Sequence, residues 1–458
     1  MLNTRHHWLK TRSLWILFLA PFLMAGSSKP PQQSGQFKLV KSHKAFEGLE
    51  VFEFHHLDNG LKVFLSPKKG SNSIAYVTGY DVGSRFEEKG RTGLAHLFEH
   101  MMFRGTETFP EPFKTLSEWG GQYNAYTSRD MTVYYQIVPN KLLNQVAQLE
   151  SERMRKLLIT KAGFNTERGA VVSERKKSVS DNPFGKLWWE LYQLAFDKHS
   201  YKTGPIGWQK DLDATSFEDA LLFYKRFYAP NRAIISIVGD FEINNALETL
   251  NKYYGAFKAQ DVKIPNIPIE KTERPARRKV VSLKAEKVIM ADARFSPSSS
   301  SPHAASELLL CVLLAGGDSG YLNYELVETG LAQSVSSSCY PSIETGLSSI
   351  FVVANPGKSI KEIEKAYDSS WKGFPDWLTD ERIESIKLYF TLEQLSALRD
   401  PTNLAKDFVS SAILSRGDPL YSFKLMDAVK QLKRKDILDR LSQWKSIGKT
   451  RVFIQPRS

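Results

Sequence analysis

Residues 92–105 read Thr92-Gly-Leu-Ala-His96-Leu-Phe-Glu99-His100-Met-Met-Phe-Arg-Gly105, and the interpretation of the rest of the chain depends on them. Its pattern predicts a helix that Thr92 caps and Gly105 ends. His96 and His100 are four residues apart, so both side chains project from one helix face, one turn apart. Two imidazoles in this arrangement can bind one tetrahedral Zn²⁺ at distances of about 2.0–2.1 Å.

Glu99 adjoins the same helix face, three residues after His96. It can reach a water on the metal without being a ligand. Zinc lowers the pKa of such a water to about 7, and a carboxylate can then take its proton. The order H-x-x-E-H is the inverted counterpart of the common zinc-protease motif. An amphipathic helix with two surface histidines is the alternative, so a third ligand is needed to decide.

Glu174 offers that third ligand. The stretch from Asn165 predicts a second helix, capped by Asn165 and stopped at Pro183. Glu167 and Glu174 are seven residues apart and share a face of it. Two histidines and one carboxylate form a known catalytic zinc set that leaves the fourth position to water. By pattern alone, the better interpretation is that both glutamates belong to an exposed helix face rather than to a metal site.

The combined motifs resemble those of the pitrilysin/insulinase family of zinc peptidases, specifically the shorter two-domain members related to the mitochondrial processing peptidase. The resemblance runs from about residue 48 to the end and includes 120–134, 228–232 and 237–240. In the family the third ligand is a glutamate some 75 residues after the motif. Glu174 fits, since 174 − 100 is 74.

The resemblance implies one Zn²⁺ per chain, held by His96, His100 and Glu174. It implies two catalytic glutamates, with Glu99 as the general base and Glu167 supporting the site one heptad before the ligand.

Asn124 and Ala125 are predicted to bind substrate. In the family their segment is an edge strand near the zinc, and the peptide adds to it as a further strand. Such main-chain pairing requires an extended peptide and reads little of its sequence. An ordinary turn rich in glycine and asparagine is the alternative.

The second half departs from the family pattern. Active members carry an Arg and a Tyr, seven apart, that hold the substrate near the zinc. Val327 stands about where the Arg is expected, and Gln333 replaces the Tyr. We therefore expect a partner: a hetero-oligomer with a zinc-less paralogue that carries the Arg and Tyr, or a homodimer. Family members of this length close a chamber only by pairing two chains.

The order of predicted strands and helices is similar in the two halves of the chain. Alternating strand patterns, joined at Asp58-Asn-Gly60 by a hairpin signal, precede a series of helices and a buried strand. We predict an α+β fold with two homologous-looking domains, each a mainly antiparallel sheet flanked by helices. The predicted bounds are 45–257 for the catalytic domain, 258–278 for a proline-rich linker, and 279–458 for a domain without a zinc motif.

Residues 1–27 are predicted to be a secretory signal peptide, because a basic segment precedes an apolar run and small residues. A retained membrane anchor is the alternative, which the shortness of the run and Pro21 disfavour. We expect export, to the periplasm if the source is Gram-negative, and no membrane span after cleavage. Cys311 and Cys339 could form one disulfide there, or Cys311 could be a small core residue.

The formal net charge of +12 falls to +9 without the three basic residues of the leader, by 12 − 3. The cations are scattered among carboxylates, so we predict a solvated surface and no nucleic-acid partner. The sequence thus predicts an exported zinc metalloendopeptidase that cleaves peptides or unfolded segments. The alternatives are a noncatalytic scaffold subunit and a processing enzyme for one precursor.

Overall fold

The computed structural model describes residues 29–45 and 48–457. The leader predicted for residues 1–27 lies outside these ranges. Among the described residues, no helix has both the length and the apolar character that crossing a membrane requires.

The regular elements are named in chain order. The strands are β1 (Gln33–Ser34), β2 (Phe37–Lys44), β3 (Glu50–His56), β4 (Lys62–Pro67), β5 (Ser73–Tyr80), β6 (Gln122–Thr127), β7 (Thr132–Pro139), β8 (Ala233–Gly239), β9 (Arg277–Leu283), β10 (Ile289–Phe295), β11 (Ala332–Ser338), β12 (Leu347–Ala354) and β13 (Thr450–Pro456). The α-helices are α1 (Leu94–Met101), α2 (Pro112–Glu118), α3 (Leu143–Arg155), α4 (Lys161–Arg175), α5 (Pro183–Ala195), α6 (Gln209–Ala214), α7 (Phe217–Phe227), α8 (Ile243–Tyr254), α9 (Ala304–Ala315), α10 (Ile360–Ser370), α11 (Phe374–Trp377), α12 (Asp380–Ala397), α13 (Pro401–Leu414), α14 (Tyr421–Gln431) and α15 (Arg434–Ser446). Short 3₁₀ turns are Ser84–Phe86, Asn140–Leu142, Ser200–Lys202, Pro230–Arg232 and Gly317–Ser319, and π-helical turns are Lys176–Ser180 and Asn323–Val327.

The first sheet has the order β1-β2-β3-β4-β8-β5-β7-β6 among the described residues. Only β4 and β8 run parallel within it. The predicted hairpin joins β3 to β4, and Gly60 in its turn has a φ of 73°, a conformation that glycine adopts without steric cost. Strand β2 pairs antiparallel with β3 on the other side. Phe37 of β2 is fully buried against the ring of His56.

The second sheet repeats this topology on a smaller scale. Its order is β11-β12-β10-β13-β9, which matches β6-β7-β5-β8-β4 of the first sheet strand for strand. The directions match as well, since β13 and β9 form its parallel pair. The predicted α+β fold of two similar halves, each with a mainly antiparallel sheet and flanking helices, is therefore confirmed.

Each half sends one helix onto the sheet of the other. Helix α5 packs on β13, β10 and β9, while α13 packs on β5, β8 and β7. Both helices begin with the same local signal, a side-chain cap followed by proline: Asn182-Pro183 and Asp400-Pro401. The approach is close at Gly79 of β5, where a Cβ would lie 2.1 Å from Cγ1 of Val409.

Polar groups join the two halves where the β6–β7 turn meets the β11–β12 connection. The Ile343 amide donates to Asp130 Oδ2 at 3.2 Å, and the Tyr201 hydroxyl donates to Asp130 Oδ1 at 2.5 Å. The Glu344 amide donates in turn to the Tyr201 hydroxyl at 3.3 Å. Arg85 pairs with Asp130 at 3.2 Å, so the charge of this buried carboxylate is compensated.

The chain between α8 and β9 holds no helix or strand over residues 257–276. Glu270 anchors it, because its carboxylate accepts the amides of residues 197–199 at 2.9–3.0 Å. Strand β9 begins at Arg277, inside the linker predicted at 258–278. The domain bounds themselves stay a prediction.

Cys311 and Cys339 form a disulfide, which decides between the two interpretations that the sequence left open. The bond ties α9 to the end of β11. The corresponding elements of the first half, α1 and β6, are joined by a hydrogen bond from Thr127 to Glu99. Each half thus links its own helix to its own edge strand, the first by a hydrogen bond and the second by a disulfide.

Candidate metal centre

Helices α1 and α4 pack together and bring three potential ligands to one point. The imidazole rings of His96 and His100 have centroids 4.9 Å apart. Oε2 of Glu174 lies 3.7 Å from Nε2 of His96 and 3.4 Å from Nε2 of His100. One potential ligand atom from each side chain lies within 4.8 Å of the other two. The three predicted ligands are therefore together, and the side chain of Glu174 is about half exposed.

The spacing of these atoms fits zinc. Ligand atoms about 2.0–2.2 Å from a tetrahedral ion stand about 3.4 Å apart, close to the two distances that involve Glu174. The donors are two imidazole nitrogens and one carboxylate oxygen, which leave the fourth position open.

The electrostatics of the cleft also favour a cation. Burial lowers the pKa of His96 to about 4, which keeps this imidazole neutral, as a metal ligand must be. Burial alone would lower the pKa of His100 as well, but Glu167 and Glu174 raise it to about 9. Two carboxylates thus attract positive charge to the point between the two helices.

Glu99 lies beside this cluster on α1. Its carboxylate oxygen Oε2 accepts a hydrogen bond from the Thr127 hydroxyl at 2.5 Å. Burial raises the pKa of Glu99, and the hydrogen bond from Thr127 and the charge of His100 partly oppose this change. A carboxylate whose pKa moves toward neutrality is suited to accept and return a proton.

Glu167 contacts His100 rather than the open position. Its Oε2 lies 3.3 Å from Nδ1 of His100, and its Oε1 forms an ion pair with Nε of Arg104 at 2.7 Å. The hydrogen bond to His100, together with Arg104, holds the pKa of Glu167 below its usual range. Metal-binding histidines almost always donate their other ring nitrogen in this way, which orients the ring. This geometry favours a positioning role for Glu167 over the predicted catalytic one.

The predicted N-cap of α1 is wrong. The helix begins at Leu94 after Gly93, whose φ is 92°, and the Thr92 hydroxyl instead donates to Asp211 at 2.7 Å. The Glu87 carboxylate caps the helix by accepting the amides of Gly93 and Ala95, both at 2.8 Å. Sequence reasoning missed Glu87, because a cap from outside the helix follows no fixed spacing.

The predicted start of α4 is also wrong. Thr160 caps this helix by accepting the Gly163 amide at 3.1 Å, so Asn165 lies inside the first turns. The regular helix ends at Arg175, the residue after Glu174, and the π-helical turn begins at Lys176. The seven-residue spacing of the two glutamates is unaffected by these shifts.

Asn124 and Ala125 lie on β6, the outermost strand of the first sheet. Among the described residues β6 pairs with β7 alone, with Asn124 opposite Tyr135 and Ala125 opposite Tyr134. The segment is therefore a strand, not the turn that was the alternative. The hydroxyl of its last residue, Thr127, donates to Glu99, so this end of the strand lies beside the candidate base.

The second half brings no arginine or tyrosine to the positions where the resemblance expects them. Val327 ends a π-helical turn and packs against the core of that half. Gln333 lies on β11 and its Oε1 accepts from Lys287 Nζ at 2.6 Å. Neither side chain can supply the positive charge or the phenol that the family uses.

Two family models match the chain. Residues 65–202 match the model for insulinase, peptidase family M16, and residues 215–389 match the model for the M16 inactive domain. The first match contains both helices of the candidate metal centre.

Several known proteins are similar to the chain. The zinc protease PqqE of Helicobacter pylori is 27% identical over 414 residues, which are 87% of this chain and 92% of that protein. A probable mitochondrial-processing peptidase subunit beta of Schizosaccharomyces pombe is 29% identical over 221 residues, 48% of each chain. The crystal structure of a protease from Helicobacter pylori superposes with a TM-score of 0.83 and 25% identity, covering 91% of this chain and all of that one.

Proposed function

Because this chain belongs to the insulinase family, peptidase family M16, we propose that it is an exported zinc metalloendopeptidase that hydrolyses peptides or unfolded segments. The observation that carries the proposal is the meeting of His96, His100 and Glu174 within 4.8 Å, with the Glu99 carboxylate beside them. A scaffold subunit that had lost the chemistry would have no reason to keep all four groups together.

The ligands are proposed to be His96, His100 and Glu174. A zinc ion there would act as a Lewis acid and make a bound water nucleophilic at neutral pH. Glu167 orients the His100 ring through Nδ1, and Arg104 orients Glu167 in turn.

Glu99 is proposed to be the general base. Its carboxylate accepts a proton as water adds to the peptide carbonyl, and it donates that proton to the amide nitrogen as the C–N bond breaks. The Thr127 hydroxyl holds one carboxylate oxygen, so the other oxygen is free for this transfer. Burial, which raises the pKa of Glu99, makes it a stronger base for this transfer.

The substrate is proposed to bind as an added strand on β6, at Asn124 and Ala125. Among the described residues, β6 pairs with no strand on its outer edge, where the Ala125 amide donates to the Asn124 side chain at 2.8 Å, and its last residue contacts the base. Main-chain hydrogen bonds to such an edge select for an extended chain. Folded proteins present few extended segments, so short peptides and unfolded regions are the expected substrates.

Export is supported by the leader pattern of residues 1–27 and by the disulfide between Cys311 and Cys339. Disulfides form and persist in oxidising compartments such as the periplasm. The chamber is proposed to need a second chain, a zinc-less paralogue or another copy. The motivating observation is that Val327 and Gln333 replace the expected arginine and tyrosine.

The decisive experiment uses the chain without its leader and a library of quenched fluorescent peptides. We expect hydrolysis that a chelator abolishes and zinc restores. Glu99→Gln should lower kcat by about 10²–10⁴-fold while zinc stays bound at about one ion per chain. Glu118→Gln, an exposed glutamate on α2, is the matched control and should keep the wild-type rate. A Glu99→Gln variant as active as the control would contradict the assignment of the base.

The partner is tested separately by isolating the tagged protein from its native host. We expect it to be purified with a second chain of the same fold, and the complex to be more active per zinc than the recombinant chain alone. Equal specific activity for the two preparations would refute the need for a partner.

A further inference from the structure

Helix α12 carries apolar side chains on two opposite faces. One face packs into the second half through Ile383, Ile386 and Phe390, which are all buried. The opposite face bears Leu388 and Leu392, whose side chains are 61% and 57% exposed. Apolar residues on opposite faces are typical of a helix that is buried all round, because each apolar face needs a partner. The described residues of one chain leave the outer face largely uncovered.

The outer face follows a heptad spacing along the whole helix. Intervals of four and three residues alternate on it, as they do in the seam of a coiled coil. This outer stripe consists of Glu381, Ser385, Leu388, Leu392, Leu395 and Arg399, the last of which follows the C-terminal cap of the helix. All of them are exposed except Leu395, which is partly buried against the core of its own half. Leucines thus occupy the middle of the stripe, and opposite charges occupy its ends.

The two charges at the ends of the outer stripe have no partner within the part of the chain that the structure describes. Neither the Glu381 carboxylate nor the Arg399 guanidinium forms an ion pair or a hydrogen bond there. Glu384 of the same helix, in contrast, pairs with Lys387 at 2.8 Å. The end charges can therefore bind opposite charges of another molecule without breaking an existing pair.

The outer stripe is complementary to itself. When two copies of α12 cross antiparallel at the level of Phe390, residues equally far before and after that level face each other. Leu388 and Leu392 are each two residues from it, and Glu381 and Arg399 are each nine residues from it. Leucine therefore faces leucine in the middle, and carboxylate faces guanidinium at both ends. A two-fold interface forms each of these contacts twice, because both chains use the same patch.

We propose that the outer stripe of α12 is a docking surface for a second copy of this chain. Burial of the leucines drives the contact. The end charges set the antiparallel orientation, since a parallel pair would place like charges together. A second copy is favoured over a different protein, because the stripe itself supplies the complement of its leucines and of its end charges. One helix pair is smaller than the interfaces of about 1,200–2,000 Å² in stable complexes, so we expect a reversible dimer with a Kd of about 1–10 μM.

The first test measures self-association of the chain without its leader by analytical ultracentrifugation. The wild type should pass from monomer to dimer between about 0.1 and 100 μM. Leu388→Glu places a charge in the apolar seam and should weaken the dimer by about tenfold or more. Leu222→Glu on α7 is the matched control, because Leu222 is also 61% exposed, and it should associate as the wild type does.

Exchanged charges test the antiparallel orientation. Glu381→Arg and Arg399→Glu each place like charges together at both ends of the helix pair, so each variant alone should associate about tenfold more weakly. A mixture of the two variants restores opposite charges at both ends and should form a heterodimer. The chain that carries both substitutions should dimerise with itself as the wild type does.

A wild-type chain that is still a monomer at about 100 μM overturns the inference, including the case in which Leu388 instead captures a different protein. A dimer that Leu388→Glu leaves unchanged overturns it as well. Charge variants that associate as the wild type does would refute the antiparallel pairing. The inference does not rest on the proposed hydrolysis: an active monomer would contradict the docking surface alone, and a dimer that cleaves no peptide would contradict the hydrolysis alone.

Discussion

Single carboxylates decide what the candidate site can do, and their roles follow from the nitrogen or hydroxyl that each one contacts. Glu174 faces both imidazoles, Glu167 lies behind one of them, and Glu99 accepts from a threonine on the edge strand. The three side chains have the same chemistry. Their positions around the cleft make one a candidate ligand, one a positioning residue and one a candidate base.

Replacing the positioning carboxylate should weaken metal binding more than it changes the chemistry. Glu167→Ala leaves Nδ1 of His100 without its acceptor, so we expect zinc affinity to fall about 10–100-fold. Competition with a chromogenic chelator measures this, and Glu118→Gln serves as control. Unchanged zinc affinity with a large loss of kcat would instead support the direct catalytic role predicted from the sequence.

The buried carboxylate of Glu53 on β3 predicts how the free energy of unfolding depends on pH. Burial alone would raise its pKa, but the rings of His43 and His55, each 2.7 Å from one oxygen, lower it to about 2 from the usual 4.5. The unfolded chain therefore binds this proton more readily than the folded one. The contribution of ionised Glu53 to the free energy of unfolding is therefore complete above pH 4.5 and is lost as the pH falls toward 2.

Denaturant unfolding at a series of pH values measures this effect. Glu53→Gln should lower the free energy of unfolding at neutral pH by about 1–3 kcal/mol and reduce the loss on acidification. Glu50→Gln on the same strand should change it by less than about 1 kcal/mol, because Glu50 forms only an exposed pair with Lys44. Identical acid profiles for wild type and Glu53→Gln would contradict the explanation.

At the scale of elements, the strands and helices follow local patterns, whereas some of their ends do not. The capping box of Ser216 and Asp219, which lies within four residues of sequence, starts α7. Helix α1 departs from its prediction because Glu87, outside the helix, satisfies its first amides better than Thr92 can. Asp211 and the amide of Trp208 engage the Thr92 hydroxyl instead.

Two glycine substitutions test how closely α13 packs on the first sheet. Gly79→Ala places a Cβ 2.1 Å from a methyl of buried Val409, so we expect a loss of about 1–3 kcal/mol in the free energy of unfolding. Gly169→Ala, inside α4 with no heavy atom within 4 Å of the new Cβ, should gain about 0.5–1 kcal/mol. Chemical denaturation compares the two variants. A Gly79→Ala variant as stable as the wild type would show that α13 does not pack as closely on β5 as described.

At the scale of the whole molecule, two similar halves cover each other's sheets, and among the described residues the cluster of candidate metal ligands lies in the first half. In the first half α1 and α4 carry histidines and glutamates, while in the second half α9 carries a disulfide to the edge strand. The polar contact of Asp130 with Ile343 fixes the halves relative to each other at the cleft. The interface therefore joins the two halves into one folded unit, and a metal held between α1 and α4 would stabilise that unit.

Removal of the metal should destabilise this unit. A zinc ion that binds only the folded chain adds about 2.7 kcal/mol to the free energy of unfolding when the free zinc concentration is one hundred times its Kd. We expect a chelator to lower the Tm of the wild type, and Glu174→Gln to lose this response while Glu118→Gln retains it. Calorimetry with and without the chelator measures the shift. A wild-type Tm that the chelator leaves unchanged would argue against a bound metal.

The sequence by itself determined the repeated α+β order of the two halves and the grouping of His96, Glu99 and His100 on one helix. Both follow from short-range geometry, because hydrophobic periods and helical spacings act within a few residues. Only the tertiary structure decided that Glu87 caps that helix, that Glu167 lies behind a ring, that the cysteines are bonded and that Ile343 of the second half contacts Asp130 of the first. These depend on contacts between groups far apart in the chain or across a turn, which no local spacing specifies.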